Sequence, residues 1–387
     1  MKPISSLLSK RPIPIPAGGY ICHICSGRQG ISPPRQHRKY SSTSTSTPIP
    51  LGLAKKGIAR LSSRRLISLR GPDSTKYLQG VITNDIYKMG SKEGFYSAFL
   101  NAQGRVLHDV WIYRDMDGGS GGGNWLIEVD AKEVEVLAMH IRRYRMRARF
   151  DVDVVGEGDR VVYSLWGAEG DVGWREGGRG IVCVDGRAPG MGRRIVVGGD
   201  CAVGTEEEVQ VQGDEAYRVR RYLIGVPEGQ GEILRESALP QESNLDVMGG
   251  IDYGKGCYVG QELTIRTHHM GVVRKRIVPM MLVPDGEDMP GLGGLRFHGG
   301  NLASGLVGGE SIKKVGGKRP VGKWLSGVGN VGLGLARLDE MGRWMVEGGE
   351  EREGDIGEEF VVEAKGEKEG ETKNIRVRAF PPAWIET

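Results

Sequence analysis

The first fifty residues contain no aspartate or glutamate, and the first acid of the chain is Asp73. The same stretch carries seven basic residues: Lys2, Lys10, Arg11, Arg28, Arg35, Arg38 and Lys39. The 387-residue chain has a formal net charge of +4 from 53 basic and 49 acidic residues; without those seven, 46 face 49, a balance of −3. The basic excess therefore belongs to a leader, and a nucleic-acid role loses the electrostatic footprint it would need. The chain also lacks any run of 18 uncharged apolar residues, which argues against a membrane-spanning helix. No signal-peptide-like apolar core lies near its start, so secretion is not expected. Cysteine is scarce. Five thiols (Cys22, Cys25, Cys183, Cys201 and Cys257) make no disulfide framework, and Cys22-x-x-Cys25 is half a metal site with no second pair behind it.

What the leader does have is the composition of a mitochondrial transit peptide over residues 1–40: basic, rich in Ser and Thr, free of acids. Arg38-Lys39-Tyr40-Ser41 looks like a matrix-peptidase site, with arginine two residues before tyrosine and cleavage before serine. The mature protein is then expected in the mitochondrial matrix, with Cys183, Cys201 and Cys257 kept reduced. Glycine is abundant at 63 residues, about twice its usual share, which implies many turns and several flexible insertions.

Gly71-Pro72-Asp73 reads as a turn into a helix capped by Asp73, with Tyr77, Leu78 and Val81 on one face. Residues 95–100 and 105–113 read as strands joined by Asn101-Ala102-Gln103-Gly104, which has hairpin chemistry. Residues 125–129 read as a strand. Residues 131–145 follow as an amphipathic helix, its apolar stripe being Val134, Leu137, Ala138, Ile141 and Tyr144. Ala148, Phe150, Val152 and Val154 then alternate as a strand. The Gly-rich stretches 115–124, 167–180 and 186–204 read as loops. No regular βαβα series or Gly-rich nucleotide loop occurs, so the expected class is α+β, in two lobes over 57–275 with a boundary near residue 155. Beyond residue 276, short apolar runs at 278–283, 331–338, 360–364 and 375–380 alternate with glycines. They predict an antiparallel barrel over 276–387, with 285–330 and 348–357 as long loops.

The most informative segment is 239–279. Within it, Lys255-Gly256-Cys257-Tyr258-Val259-Gly260-Gln261-Glu262 resembles the signature of the YgfZ-like folate-binding family, which is related to the aminomethyltransferase of glycine cleavage. Pro240, Glu242, Asn244, Leu245 and Asp246 before it and Arg274-Lys275-Arg276 after it agree. Leu78-Gln79-Gly80 with Thr83-Asn84-Asp85 looks like the family's opening block, and residues 99–105 look like its second block. Gly225-Val226-Pro227-Glu228-Gly229 matches a loop before the signature, with Val226 where isoleucine is more usual.

Physically, the glycines beside Cys257 let a partner approach the thiol. Lys255, if its ammonium lay against the sulfur, would favour the thiolate, the form that ligates metal or attacks. His268 and His269 follow at 11 and 12 residues, but a permanent metal site would need three or four ligands and the sequence names no fourth, so no stable metal is expected. Arg142, Arg143, Arg145, Arg147 and Arg149 read first as a solvated surface, then as a contact for an anionic partner or a folate tail.

The resemblance implies two α+β lobes and a C-terminal barrel around a central opening the size of a folate, bringing residues near 84 and 257 together. It implies tetrahydrofolate there, with Asn84, Asp85, Glu242, Asn244 and Gln261 as polar contacts, Tyr258 for stacking, and Lys255 or Arg274 for the glutamate tail. It further implies an iron–sulfur cluster assembly factor working with A-type carrier proteins to mature [4Fe–4S] enzymes such as aconitase and lipoate synthase. Cys257 and Lys255 would be its reactive pair, with transient iron or cluster contact at the thiol. The alternatives are a folate-dependent aminomethyl transferase, or a folate-binding scaffold in which Cys257 is incidental.

Overall fold

The structure is a computed structural model. It describes residues 54–385 apart from 117–122, 169, 171, 175–179, 200, 202, 206–207, 342–358 and 366–371. The transit-peptide segment 1–40, Cys22, Cys25, the loop 348–357 and most of 115–124 lie outside the described residues.

The chain opens with β1 (Gly57–Arg60), β2 (Arg64–Arg70), α1 (Ser74–Val81), β3 (Gly94–Leu100), β4 (Val106–Arg114), β5 (Asn124–Asp130), α2 (Val134–Tyr144) and β6 (Asp151–Val154). There follow β7 (Arg160–Trp166), β8 (Val172–Trp174), β9 (Gly180–Val184), β10 (Arg193–Gly198), β11 (Val203–Thr205), β12 (Gln210–Gln212), α3 (Asp214–Ile224) and α4 (Gln261–Met270). The last third holds β13 (Lys275–Val283), β14 (Ser311–Lys314), β15 (Pro320–Val328), β16 (Val331–Arg337), α5 (Leu338–Met341), β17 (Phe360–Lys365) and β18 (Thr372–Ala379).

One sheet runs β3-β4-β5-β2-β6, all antiparallel. Alternation along its strands sends side chains to two faces. Ile67, Leu69, Val110, Ile112 and Ile127 meet α1 and α2 on one side; Leu66, Tyr96, Trp111, Tyr113 and Leu126 meet the second sheet on the other. That second sheet runs β12-β1-β7-β10-β9, and β1 enters it between β12 and β7 although it precedes every strand of the first sheet. The barrel closes as β13-β16-β15-β14-β17-β18 around Val278, Trp324, Val362 and Val377. The fold is thus α+β with a closed six-stranded antiparallel barrel, as expected.

Local readings differ in five places, the first being the expected loop 167–180, which holds β8. Asp73 stands at the start of α1 but makes no side-chain cap; its carboxylate accepts from the backbone N–H and Nε of Arg149, a charge-assisted alternative. On α2, Val134, Leu137, Ala138 and Ile141 are buried, each worth up to about 2 kcal/mol, while Tyr144 faces solvent against His140. The stretch 186–204 is not all loop, because Ile195, Val196 and Val197 build β10 in the middle of the second sheet. Residues 285–330 contain two barrel strands, β14 and β15. On β15, glycine stands where the pattern calls for an apolar side chain: the Trp324 ring occupies the space a side chain would take at Gly327, as it does at Gly332 on the neighbouring β16.

Candidate functional site

Helix α1 ends without a basic residue in its last turn, and beyond Leu78 O, which accepts from the Ile82 N–H, its final carbonyls need partners from elsewhere. The signature segment supplies them. Lys255 Nζ donates to Gln79 O (2.8 Å), Ile82 O (2.7 Å) and Asn84 O (2.8 Å), and the Val259 N–H donates to Gly80 O (3.0 Å). A cation on a helix C-terminus is also favoured by the helix dipole. The same ammonium lies 4.8 Å from the centre of the Tyr258 ring. Burial lowers the Lys255 pKa to about 8, with Asp85 and Asp252 opposing the shift. An ammonium has three N–H donors and all three are engaged by carbonyls, so none remains for the Cys257 thiol.

The far side of the loop is fixed as firmly. Gln261 Oε1 accepts from the Tyr258 N–H at 2.7 Å, tying the loop to the first turn of α4. Gly260 has φ +80° and packs against the hairpin turn of the second family block, where Gly104 has φ +79°. Thr83 Oγ1 donates to Gly250 O at 2.6 Å, Asn84 Nδ2 to Gly249 O at 2.8 Å, and the Asp252 N–H to Thr83 O at 3.1 Å. Opening block, hairpin block and signature therefore converge on one loop, bringing residues near 84 and 257 together. Between these anchors Gly256 and Cys257 are exposed.

Several of the residues assigned to folate have partners of their own within the protein. Both amide hydrogens of Asn84 go to backbone carbonyls, of Tyr96 and Gly249, and its oxygen accepts from the Asp85 N–H. Asp85 Oδ1 caps the turn at Tyr87. Asn244 is fully buried and donates to Ile277 O at 2.6 Å. Glu242 is 3.9 Å from Lys275 Nζ at the edge of the barrel, Tyr258 is buried, and Arg274 is exposed. His268 stacks on Tyr253 at 3.7 Å, at the other end of α4 from Cys257, a helix about 15 Å long. Among the described residues no three His, Cys, Asp or Glu side chains are placed to hold a metal ion.

The arginines at 142–149 hold their own connection. Arg142 donates to Val152 O (2.9 Å), Arg145 to Phe150 O and Arg149 to Asp73, while Arg143 and Arg147 are exposed. A cleft of about 400 Å³, lined by residues including Glu93, Arg114, Asp115, Arg160, Ile181 and Val197, contains none of the expected site residues.

What the sequence did not reveal is a charge network buried between the two sheets. Arg64 donates to Glu128 (2.8 Å) and lies 3.5 Å from Asp109; Arg194 donates to Glu128 (2.8 Å) and Glu228 (2.6 Å). Arg187 donates to Asp185 (2.6 and 2.9 Å) and Glu228 (2.7 Å), and Arg221 to Glu232 (2.7 Å). The Tyr113 hydroxyl donates to Glu128 and the Tyr217 hydroxyl to Glu228. Burial pushes Glu228 up, but the guanidinium groups of Arg194, Arg187, Arg64 and Arg221 outweigh it and hold the carboxyl well below its ordinary range. Charged residues default to the surface in a sequence reading. The available signal was small: an Arg-Arg pair opening the branched run 195–197, and Glu228 within a family block.

The family described as "CAF17, C-terminal beta-barrel domain" matches residues 274–387. "Iron-sulfur cluster assembly factor IBA57 homolog, mitochondrial" of Chaetomium globosum is 42% identical over 411 residues, spanning 96% of this chain and 94% of its own. The homologue of that name in Neurospora crassa is 43% identical, over 94% of this chain and 88% of its own; that of Pyricularia oryzae is 46% identical, over 85% of each. The crystal structure of glycine cleavage system aminomethyltransferase T from Bartonella henselae superposes with a TM-score of 0.56 at 13% identity, covering 86% of this chain and 87% of that one. That likeness establishes an aminomethyltransferase-like fold. Identity above 40% along nearly the whole chain goes further: the protein belongs to the family of mitochondrial iron–sulfur cluster assembly factor IBA57 homologues.

Proposed function

We propose that this protein assists iron–sulfur cluster assembly in the mitochondrial matrix by offering the Cys257 thiolate as a ligand to cluster iron. The observation that carries the reading is an exposed thiol on a loop held at both ends, by Lys255 and Val259 on α1 and by Gln261 and Gly260 on the other side. The thiol loses its proton as the iron–sulfur bond forms. A cluster is held by four ligands, mostly cysteine thiolates. Among the described residues no set of His, Cys, Asp or Glu side chains completes such a site, so Cys257 supplies one ligand and the others come from a second protein. An A-type cluster carrier is the partner the family resemblance implies, and [4Fe–4S] enzymes such as aconitase and lipoate synthase are the recipients.

Tetrahydrofolate has no step in this proposal. The amides of Asn84 and Asn244 are engaged inside the protein, Gln261 holds its own loop, and Lys255 has no donor left for a glutamate tail. The groups these four side chains would offer a folate are already occupied.

The test is rescue of cells depleted of the protein, comparing wild type with Cys257→Ser at matched protein level. The proposal requires that wild type restores aconitase activity and protein lipoylation and that the variant does not. Equal rescue by both would make the thiol dispensable and leave a scaffold. If glycine cleavage alone depended on the protein, the chain would be a transferase.

A further inference from the structure

A folate site requires a carboxylate or amide for the pterin edge, an aromatic face for its ring, and cations for its tail. The interior between the two sheets holds all three, joined to one another. The Arg187 guanidinium carbon lies 5.3 Å from the ring centre of Tyr96 and 5.4 Å from that of Trp111. That of Arg194 lies 5.6 Å from Trp111 and 5.4 Å from Tyr217. Tyr113 stacks on Trp111 at 6.2 Å, nearly parallel. The carboxylates are equally engaged, Glu228 by Arg187, Arg194 and Tyr217, and Glu128 by Arg64, Arg194 and Tyr113.

Room is what is missing. A void large enough for a pterin would leave accessible surface on the side chains that line it. Yet Tyr96 is 4% exposed, Trp111 2%, Arg187 1%, and Arg194 and Tyr217 are wholly buried. The Tyr96 hydroxyl and the Trp111 N–H make no hydrogen bond within the protein, and both atoms are sealed. The groups a ligand would use are present, but the space is closed.

We infer that Arg187 and Arg194, packed over Tyr96, Trp111 and Tyr217, are built-in occupants of the inter-sheet interior, and that this interior excludes tetrahydrofolate. The aminomethyltransferase-like fold is kept while its centre serves as a charged core. Arg187 follows β9 and Arg194 lies on β10, whereas Glu128 lies on β5 and Glu228 follows α3, so the same contacts join the sheets. This goes beyond the proposal for Cys257, and its failure would leave that proposal untouched.

The experiment titrates the full chain with 5-formyltetrahydrofolate, a stable probe, by calorimetry, and follows amide exchange over residues 96–113 and 185–194 with and without it. The expected result is no change in exchange over these segments up to millimolar ligand. Binding that leaves both segments unchanged also upholds the inference, because the ligand then sits elsewhere. Saturable one-to-one binding with slowed exchange in both segments overturns it.

Discussion

Gly104 and Gly260 touch backbone to backbone: a Cβ on Gly260 would stand 3.2 Å from the Gly104 Cα and overlap Asn101 O, and one on Gly104 would stand 2.9 Å from Gly260 O. Both residues also have left-handed φ angles, which cost an L side chain about 1–2 kcal/mol. Gly260→Ala should therefore destabilise the protein by about 3 kcal/mol, strain and overpacking together. Gly256, on the other side of Cys257, has open space within 4 Å of where a methyl would stand, and no left-handed φ. Gly256→Ala should change stability by less than about 0.5 kcal/mol. Denaturant titration of the two variants separates packing from access; equal losses would refute the contact.

Lys255 makes a prediction about alkali. Burial holds its ammonium near 8, whereas the unfolded chain keeps that proton to about 10.5. Between those values the unfolded state binds more protons, so this residue's contribution to stability rises with pH across the window. Below pH 8 the lysine is charged in both states and its contribution is flat. Lys255→Met has no such titration. The stability of wild type relative to this variant should grow from pH 8 to pH 10, measured by urea unfolding. A difference that stays level or shrinks would be the contrary result.

Glu228 predicts the opposite end of the scale. Despite burial, four arginines hold its folded pKa below the unfolded value of about 4.5. The stability it contributes is complete above that value and is lost as pH falls through the folded one. Glu228→Gln leaves Arg187 and Arg194 short of a buried partner, and a loss of about 3–5 kcal/mol is expected at pH 7. The gap between variant and wild type should narrow in acid. An unchanged unfolding midpoint at pH 7 would show that the network does not hold the sheets together.

Thiol chemistry gives the quickest check. Cys257 is exposed, whereas Cys183 is buried and its pKa is pushed up, chiefly by burial. Brief treatment of native protein with iodoacetamide should label Cys257 and spare Cys183, read by peptide mass spectrometry. Labelling of Cys183 at the same rate would contradict the arrangement of β9 against the first sheet.

Much of the fold was legible because apolar residues recur at the right spacing. Leu137 and Ile141 mark α2, and Val278, Val331 and Ile375 fall in the barrel strands found. β15 was not legible, because its space is filled by Trp324 from within and its neighbouring positions are glycine. At the site, Cys257 stood out by its signature, but the role of Lys255 did not. Its partners are backbone carbonyls at positions 79, 82 and 84, and a carbonyl has no letter in a sequence. The same blindness hid Arg187 and Arg194, which share Glu228 from beyond α3, Arg194 also taking Glu128 from β5.

The placement of β1 bears on how the molecule can be made. Ile58 pairs with Leu165 on one side and Val211 on the other. Whatever delivers the chain amino end first, a ribosome or a translocation pore, these early residues emerge with no partner until residue 166 has appeared, and their second neighbour comes only with residue 212. Closing so long a loop is slow, and an unpaired strand left waiting invites wrong pairings. The second sheet is therefore completed only after the first, around the strand that precedes both, and release of the amino-terminal half alone leaves it without β12.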